Sequence, residues 1–190
     1  MRKVILQEWI SLDGYAADQN GTTDFFSSPK YNEGSDGDLL SFMDRIDTIL
    51  LGANTYKMFA EYWPDVDPNV ELISTRLNET QKLVFSKTLA DAPWGKWDEC
   101  LLIKNDLENT VLTLKEKEGK DMVVWGSLSI AQSLINAGLI DEYQLRIVPI
   151  LLRSGRPMFS TSEGKELGLQ LTASKSYSSG ITLLTYKPVQ

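Results

Sequence analysis

The strongest structural signal in the chain lies in residues 120–149, KDMVVWGSLSIAQSLINAGLIDEYQLRIVP. It opens with a short apolar run that is β-branched in its middle, Met122–Trp125, which indicates a buried strand rather than a helix. After Gly126, apolar residues recur at the three- and four-residue spacing of one helix face. That face consists of Leu128, Ala131, Leu134 and Ile135. Tyr143, Leu145 and Ile147 then alternate with polar residues, as in a strand with one more polar face. The stretch predicts a strand–helix–strand unit.

The turn between the strand and the helix is the most informative point of this unit. Ser127 or Ser129 can cap the start of the helix, and Gly138 suits a left-handed residue at its end. Free N–H groups at a helix start, next to a glycine that allows close approach, form an anion site suited to phosphate. The alternative is that Gly126 only makes a tight turn, because one glycine is far weaker than a full dinucleotide-binding fingerprint.

Composition limits the classes of protein to which the chain can belong. The 190 residues carry a net charge of −7 without a Lys/Arg cluster, which argues against a nucleic-acid partner. This length predicts one domain, residues 1–190. No apolar stretch approaches the roughly 20 residues of a membrane span, and no signal-peptide pattern is visible. With one cysteine, Cys100, which we expect to be a core thiol, the sequence predicts a cytoplasmic protein.

The sequence contains no histidine. Catalytic systems of the Ser-His-Asp and Cys-His types are therefore excluded, and so are zinc or iron sites with imidazole ligands; we expect no metal. Any proton transfer must use Asp, Glu, Tyr, Lys or water. A redox enzyme that takes its chemistry from a cofactor is compatible with this set of side chains.

A second strand-to-helix turn follows the predicted strand 48–51, at Gly52-Ala53-Asn54-Thr55-Tyr56. We predict further strands at 3–10, 82–86 and 101–103, a helix at 107–118, and a terminal hairpin from 167–177 and 181–187. We assign no element to residues 70–78. Strands that alternate with helices predict an α/β sheet, mainly parallel, with an antiparallel end. Such sheets bind ligands beyond the carboxyl ends of their strands, where both turns would lie.

Four motifs in this order resemble the dihydrofolate reductase-like superfamily. They are Ser11-Leu12-Asp13-Gly14, Leu51-Gly52-x-x-Thr55-Tyr56, Val84–Leu89, and Gly126 through Pro149. The chain is most similar to the reductase domain of riboflavin-biosynthesis deaminase-reductases. The resemblance covers nearly the whole chain. It implies a three-layer α/β/α fold with a mixed, mainly parallel central sheet and an antiparallel C-terminal hairpin.

The resemblance also implies a function. Relatives use NADPH to reduce a small heterocycle, either a pyrimidine like 5-amino-6-(5-phosphoribosylamino)uracil or dihydrofolate and related pterins, and are often homodimers. Cofactor contacts are implied for Ile10, Gly14, Tyr15, Ala16, Gly52, Thr55, Ser86, Lys87, Gly126, Ser127, Leu128 and Ser129. Of these, Ser86 and Lys87 would lie near the adenosine 2′-phosphate, because a hydroxyl and a cation suit a dianion. Relatives commonly carry arginine after Gly52, where this chain has Ala53 and Asn54, which leaves Lys87 and Lys57 to supply positive charge.

Two carboxylates are candidates for catalysis. Asp13 would contact the substrate, or it would only bond to its own backbone in the turn before Gly14. Glu142 would reach the substrate from the start of its strand, or it would end the preceding helix together with Asp141. A different class of function also stays open, because a fold does not determine a function. The chain would then be a nicotinamide-nucleotide-binding module without turnover, acting as a sensor or partner-binding protein.

Overall fold

The structure is a computed structural model that describes residues 1–27, 29–32, 35–159 and 166–189. In chain order its elements are β1 (Val4–Ser11), β2 (Tyr15–Ala17), α1 (Asp24–Ser27), α2 (Pro29–Asn32), α3 (Asp36–Met43), β3 (Ile46–Gly52), α4 (Ala53–Tyr62), α5 (Ser74–Glu79), β4 (Gln81–Phe85), β5 (Leu101–Ile103), α6 (Leu107–Glu116), β6 (Asp121–Trp125), α7 (Leu128–Asn136), β7 (Glu142–Val148), β8 (Arg156–Pro157), β9 (Leu169–Ser176) and β10 (Thr182–Pro188). The chain divides into two compact units, Met1–Val4 with Asp36–Leu139 and Ile5–Ser35 with Ile140–Gln190.

The first unit, Met1–Val4 with Asp36–Leu139, contains four parallel strands in the order β5-β4-β3-β6. Leu50 of β3 pairs with Leu83 on one side and with Val124 on the other, and all three side chains are buried. Parallel strands covered on both faces contain continuous apolar runs, and such a run makes up residues 49–51 of β3, 83–85 of β4 and 122–125 of β6. Helices α3, α4 and α7 pack against β3. Both predicted strand-to-helix turns therefore follow the carboxyl ends of neighbouring parallel strands.

The second unit contains a mixed group of strands. Strand β7 runs parallel to β1 and antiparallel to β10, and β10 is in turn antiparallel to β9. Strands β2 and β8 form a separate two-stranded sheet. The predicted C-terminal hairpin and the mixed, mainly parallel α/β arrangement are confirmed. A cluster of apolar side chains packs on this unit, made of Tyr31, Val148, Tyr177 and Ile181 with Trp9, Phe25, Phe26, Ile150 and Leu183 against it.

The more polar face of β7 is buried. Gln144 and Arg146 are 6% and 1% exposed. The Gln144 side chain bonds to Gln7 on the neighbouring strand at 2.7 Å. The Arg146 guanidinium lies over the rings of Trp9 and Tyr177, at 5.1 and 5.6 Å from their centroids. The alternation in the sequence thus marks an internal polar layer.

The structure also bears on two smaller points of the sequence analysis, Cys100 and residues 70–78. Cys100 is a buried core thiol as expected, and burial raises its pKa to about 11. Residues 70–78, to which the sequence assigned no element, contain most of α5.

Within the part of the chain that the structure describes, no helix has both the length and the apolar character that a membrane span requires. The extent of one domain, residues 1–190, stays a prediction.

Candidate functional site

The turn after β6 requires glycine at position 126. Gly126 has φ +65°, a left-handed conformation that a side chain disfavours. A Cβ atom at this position would lie 2.9 Å from Cγ2 of Thr55 on α4. The turn is tight, because the Leu128 amide donates to the Gly126 carbonyl at 2.9 Å. Gly126 therefore brings the backbone at the start of α7 directly against the first turn of α4.

Ser127 is the N-cap residue of α7, but its side chain does not cap this helix. Its Oγ accepts a hydrogen bond from the Gly52 amide at 2.7 Å, and the serine is 3% exposed. The prediction that Ser127 or Ser129 caps α7 through its side chain is therefore wrong, since the Ser127 hydroxyl is used by the other turn. The first bond of the helical ladder joins the Ala131 amide to the Ser127 carbonyl at 2.8 Å. The amides of Ser129 and Ile130 precede it, where a helix offers N–H groups to a ligand.

The turn after β3 supplies a second helix start. Helix α4 begins at Ala53, and its start also has no side-chain cap. Gly52 has an ordinary extended backbone, φ −85° and ψ 163°, and a Cβ there would meet nothing closer than 3.4 Å. Ala53 and Asn54 provide no charge. The two helix starts lie at adjacent strand ends, and two positive dipole ends at one place favour an anion.

A hollow of about 520 Å³ lies at the ends of β4 and β5 in the same unit. Its lining residues are Phe85, Ser86, Lys87, Ile103, Lys104, Asn105, Asp106 and Leu107. The Ser86 hydroxyl accepts hydrogen bonds from the Thr88 and Leu89 amides, both at 3.2 Å. The resemblance implies that Ser86 and Lys87 lie near the adenosine 2′-phosphate, and both line this hollow. Lys104, for which the sequence analysis predicts no role, lines it as well.

In the second unit, Asp13 joins two loops. Its carboxylate accepts hydrogen bonds from the Ser11 hydroxyl at 2.6 Å and from the amides of Arg153 and Leu152 at 2.8 and 3.1 Å. The Ser11 bond, with these backbone bonds, lowers the pKa of Asp13 from its usual 3.8. Among the residues that the structure describes, Arg153 is the one non-glycine residue with a positive φ, +65°. Asp13 is thus an ionised carboxylate that holds the segment after β7.

The other residues predicted around Asp13 lie close to it in the chain. Ile10 is buried near the end of β1, Gly14 is in the turn with φ +87°, and Tyr15 and Ala16 belong to β2. The Tyr15 amide donates to the Ser11 hydroxyl at 2.9 Å, and the Met158 amide donates to the Gly14 carbonyl at 2.9 Å. Hydrogen bonds therefore join the residues predicted around Asp13 into one loop structure.

Glu142 lies apart from this loop. It is the first residue of β7, it is 5% exposed, and its carboxylate accepts a bond from the Gln144 amide group at 2.7 Å. It pairs with Ile5, whereas Val148 pairs with Ser11 at the other end of the same two strands. At about 3.3 Å per residue, these ends are about 20 Å apart. The structure does not bring the two candidate catalytic carboxylates together.

Comparisons with known proteins agree with this fold. The sequence matches the model of the RibD C-terminal domain family over residues 2–183. It is 29% identical to the uncharacterized protein YyaP of Bacillus subtilis (strain 168) over 187 residues, which are 97% of this chain and 94% of that protein.

The solved structures that are similar to the chain include the following two. One is a putative riboflavin biosynthesis protein from Shewanella sp. PV-4, with a TM-score of 0.78, 26% identity and full coverage of both chains. The other is the dihydrofolate reductase of Enterococcus faecalis complexed with NADP(H) and RAB-propyl. It has a TM-score of 0.59 and 13% identity, over 99% of this chain and 97% of that one. At this identity the second likeness concerns the fold alone.

Proposed function

The chain belongs to the RibD C-terminal domain family, and from this we propose that it is an NADPH-dependent reductase that transfers a hydride to a small heterocyclic substrate. The observation that carries the proposal is the hydrogen bond from the Gly52 amide to Ser127, which holds two helix starts side by side. Two such starts suit the two phosphates of a dinucleotide. A fold shared with a reductase that was solved with NADP(H) supports the same cofactor.

In the first unit the cofactor would be held mainly by backbone groups. We assign the pyrophosphate to the turn at Gly126, with the amides of Ser129 and Ile130, and to the start of α4 between Gly52 and Thr55. Ser127 would position the two turns and would not itself contact a phosphate, since it is buried and already bonded. Ser86 and Lys87 would receive the adenosine end in the hollow beyond β4.

In the second unit we assign contacts with the nicotinamide and the substrate to the loop at Asp13. Ile10, Gly14, Tyr15 and Ala16 would border the ring of the cofactor. Bound NADPH supplies the hydride, and this reaction needs the donor and acceptor carbons in contact. An ionised Asp13 can accept a hydrogen bond from a ring N–H group. It is a poor proton donor because its pKa is lowered, so we assign the proton to water.

The substrate class follows from the family. We infer a pyrimidine of the 5-amino-6-(5-phosphoribosylamino)uracil type in preference to dihydrofolate or another pterin, because the family is that of the RibD C-terminal domain and a similar structure is a putative riboflavin biosynthesis protein. We further propose that the protein is a cytoplasmic homodimer, as the resemblance implies. A buried free thiol at Cys100 is compatible with a reducing compartment.

The test is a titration of the pure protein with NADPH and with NADH, followed by quenching of its five tryptophans. We expect micromolar binding of NADPH and weaker binding of NADH. Oxidation of NADPH is then measured with the aminopyrimidine and with dihydrofolate. Binding without oxidation by either substrate would favour a binding module without turnover, and no binding of either nucleotide would remove the reductase proposal.

A further inference from the structure

Three aromatic side chains, Phe59, Tyr62 and Trp63, meet at the end of α4 and are called the aromatic corner below. The centroids of the Phe59 and Trp63 rings are 6.0 Å apart, with 62° between the ring planes. The centroids of the Tyr62 and Trp63 rings are 5.2 Å apart, at 81°. Both are edge-to-face contacts, so two rings stand steeply against the third. Tyr62 is 47% exposed and the other two are half-buried, which places the corner at the surface of the first unit.

Hydrogen bonds hold the aromatic corner in place. The Trp63 carbonyl accepts a bond from the side-chain amide of Asn78 at 2.8 Å, and Asn78 is buried. The side-chain oxygen of Asn78 in turn accepts a bond from the indole N–H of Trp94 at 2.7 Å. The Tyr62 hydroxyl donates to the Glu71 carboxylate at 3.0 Å. A surface that is ordered in this way loses little conformational freedom when a partner binds.

The segment around the corner is acidic. Residues 58–75 contain four carboxylates and neither lysine nor arginine. Of these carboxylates, Glu61 and Asp65 are exposed, and in the part of the chain that the structure describes neither forms an ion pair. A surface with one sign of charge attracts groups of the opposite sign, so this segment favours a cation.

The rings of the corner also differ from other tryptophans of the chain. Three tryptophans each have a cation of the chain over the ring, Trp9 with Arg146 at 5.1 Å, Trp94 with Lys82 at 4.6 Å, and Trp97 with Lys96 at 5.9 Å. Among the described residues, no lysine or arginine lies over a ring of the aromatic corner. A cation within about 6 Å of an aromatic ring is attracted to its face. The corner therefore offers rings for a cation from outside the chain.

Apolar side chains widen this surface. Met58, Val70 and Leu72 are 43%, 70% and 49% exposed. The bond between Tyr62 and Glu71 holds the segment of Val70 and Leu72 beside the end of α4. Packing of the helix end explains the half-buried rings but not these exposed apolar groups, and exposed apolar groups that lie together mark interaction surfaces.

We propose that the aromatic corner, together with Met58, Val70 and Leu72, binds a segment of another protein in which arginine lies between apolar residues. The guanidinium group would stack on a ring of the corner, since it is planar and less strongly hydrated than an ammonium group. Glu61 and Asp65 would supply the opposite charge, and the three apolar side chains would contact the neighbours of the arginine. None of these residues lines the hollow beyond β4 and β5, so the surface is separate from that site.

The probe for this surface is an eight-residue peptide of alternating arginine and leucine with blocked ends. In the control peptide citrulline replaces arginine, which keeps the planar shape and removes the charge. Calorimetric titrations of wild type should show at least about tenfold tighter binding of the arginine peptide. For Tyr62→Leu we expect the affinity for this peptide to fall at least about threefold, as for one cation–π contact at an exposed site.

The charges are tested by Glu61→Gln combined with Asp65→Asn. The matched control is Glu116→Gln combined with Glu118→Gln, which removes the same charge from exposed positions at the end of α6. We expect the first pair to lower the affinity for the arginine peptide at least about threefold at low salt and less at high salt, because exposed charges are screened. The control pair should bind the peptide nearly as wild type does.

Several results would overturn the proposal. Wild type that binds neither peptide, or both equally, has no arginine-binding surface. Equal losses for the two pairs of carboxylate variants would mean that only the net charge of the chain attracts the peptide. If wild type is a dimer in sedimentation and Tyr62→Leu is a monomer, a second copy of the chain covers the surface instead. The variants should keep the wild-type affinity for NADPH, so a failure here leaves the proposed function unaffected.

Discussion

The Ser127 hydroxyl accepts a hydrogen bond from the Gly52 amide at 2.7 Å, although the two residues are 75 positions apart in sequence. Ser127 and Gly52 are both buried, so water cannot easily replace the bond. The donor belongs to the turn after β3 and the acceptor to the turn after β6. The bond therefore fixes the spacing of the two helix starts, and nucleotide affinity should depend on a side chain that faces the protein rather than the ligand.

The first prediction concerns this bond. Ser127→Ala leaves the Gly52 amide buried without its acceptor, which should lower the free energy of unfolding by about 1–3 kcal/mol. NADPH affinity should fall as well, because the spacing of the turns is no longer fixed. Urea denaturation and tryptophan quenching measure the two effects. Ser129→Ala, the same change at an exposed position, is the control and should alter stability by less than about 0.5 kcal/mol. Equal stability of the two variants would refute the structural role of Ser127.

The second prediction separates the two glycines of the turns. Gly126→Ala forces alanine into a left-handed conformation, at about 1–2 kcal/mol, and sets a Cβ 2.9 Å from Thr55. We expect a total loss of about 2–4 kcal/mol from strain and overpacking together. Gly52→Ala should change stability by less than about 1 kcal/mol, since its backbone is extended and its nearest contact is 3.4 Å.

A second substitution, at Thr55, separates the two contributions to the loss of stability in Gly126→Ala. Thr55→Ser removes Cγ2, the atom that the new Cβ would meet. In the Gly126→Ala background it should restore the part due to the contact and leave the part due to the backbone conformation. If Gly126→Ala and Gly52→Ala were equally stable in thermal denaturation, the left-handed turn would not be required.

The third prediction tests the anion site at the start of α7. Ser129→Asp places a carboxylate at an exposed position in the first turn, where an acidic residue favours the helix by about 0.3–1 kcal/mol. It should nevertheless weaken NADPH binding by at least about tenfold, because the carboxylate takes the place of the phosphate. Ser133→Asp adds the same charge one turn further along and should reduce affinity much less. Equal affinities in a calorimetric titration would show that no phosphate lies at this helix start.

The elements that the sequence predicts best are those with a local signal. Gly126, Gly138 and the apolar face of α7 are all readable within a few residues, and Gly138 does end the helix in a left-handed conformation, φ +66°. The four strands of the first unit also have a local signal, since each is a short apolar run. These features determine the fold class and the edge at which the turns lie.

The features that the sequence could not predict are contacts between residues that are distant in the chain. The hydroxyl of Ser127 has a suitable position to cap its own helix, but Gly52 takes it. Arg146 alternates with apolar residues as a solvated side chain would, yet the rings of Trp9 and Tyr177 enclose it. Asp13 has its partners at Leu152 and Arg153. Tertiary packing decides which partner each of these side chains takes, and the sequence around a single residue does not show that partner.

The fourth prediction concerns Lys82, a buried cation outside the candidate site. Its side chain is 2% exposed, lies 4.6 Å from the centroid of the Trp94 ring, and donates to the Asn78 carbonyl. Burial lowers the pKa of Lys82 from 10.5 to about 8. Above pH 8 the folded protein releases this proton, while the unfolded chain keeps it up to about pH 10.5. Since the unfolded state then binds more protons, the free energy of unfolding rises with pH in this interval.

We therefore expect Lys82 to increase wild-type stability by at most about 1 kcal/mol between pH 8 and pH 9, and Lys82→Met to remove this increase. Cys100 acts in the opposite direction, because its pKa is raised from 9.0 to about 11 in the folded protein and its contribution is lost from pH 9 upward. Both proteins should for this reason carry Cys100→Ala, and urea denaturation at several pH values gives the two slopes. Parallel slopes for the proteins with and without Lys82 would mean that this lysine stays charged in the folded state, and that the contacts with Trp94 and Asn78 outweigh the cost of its burial.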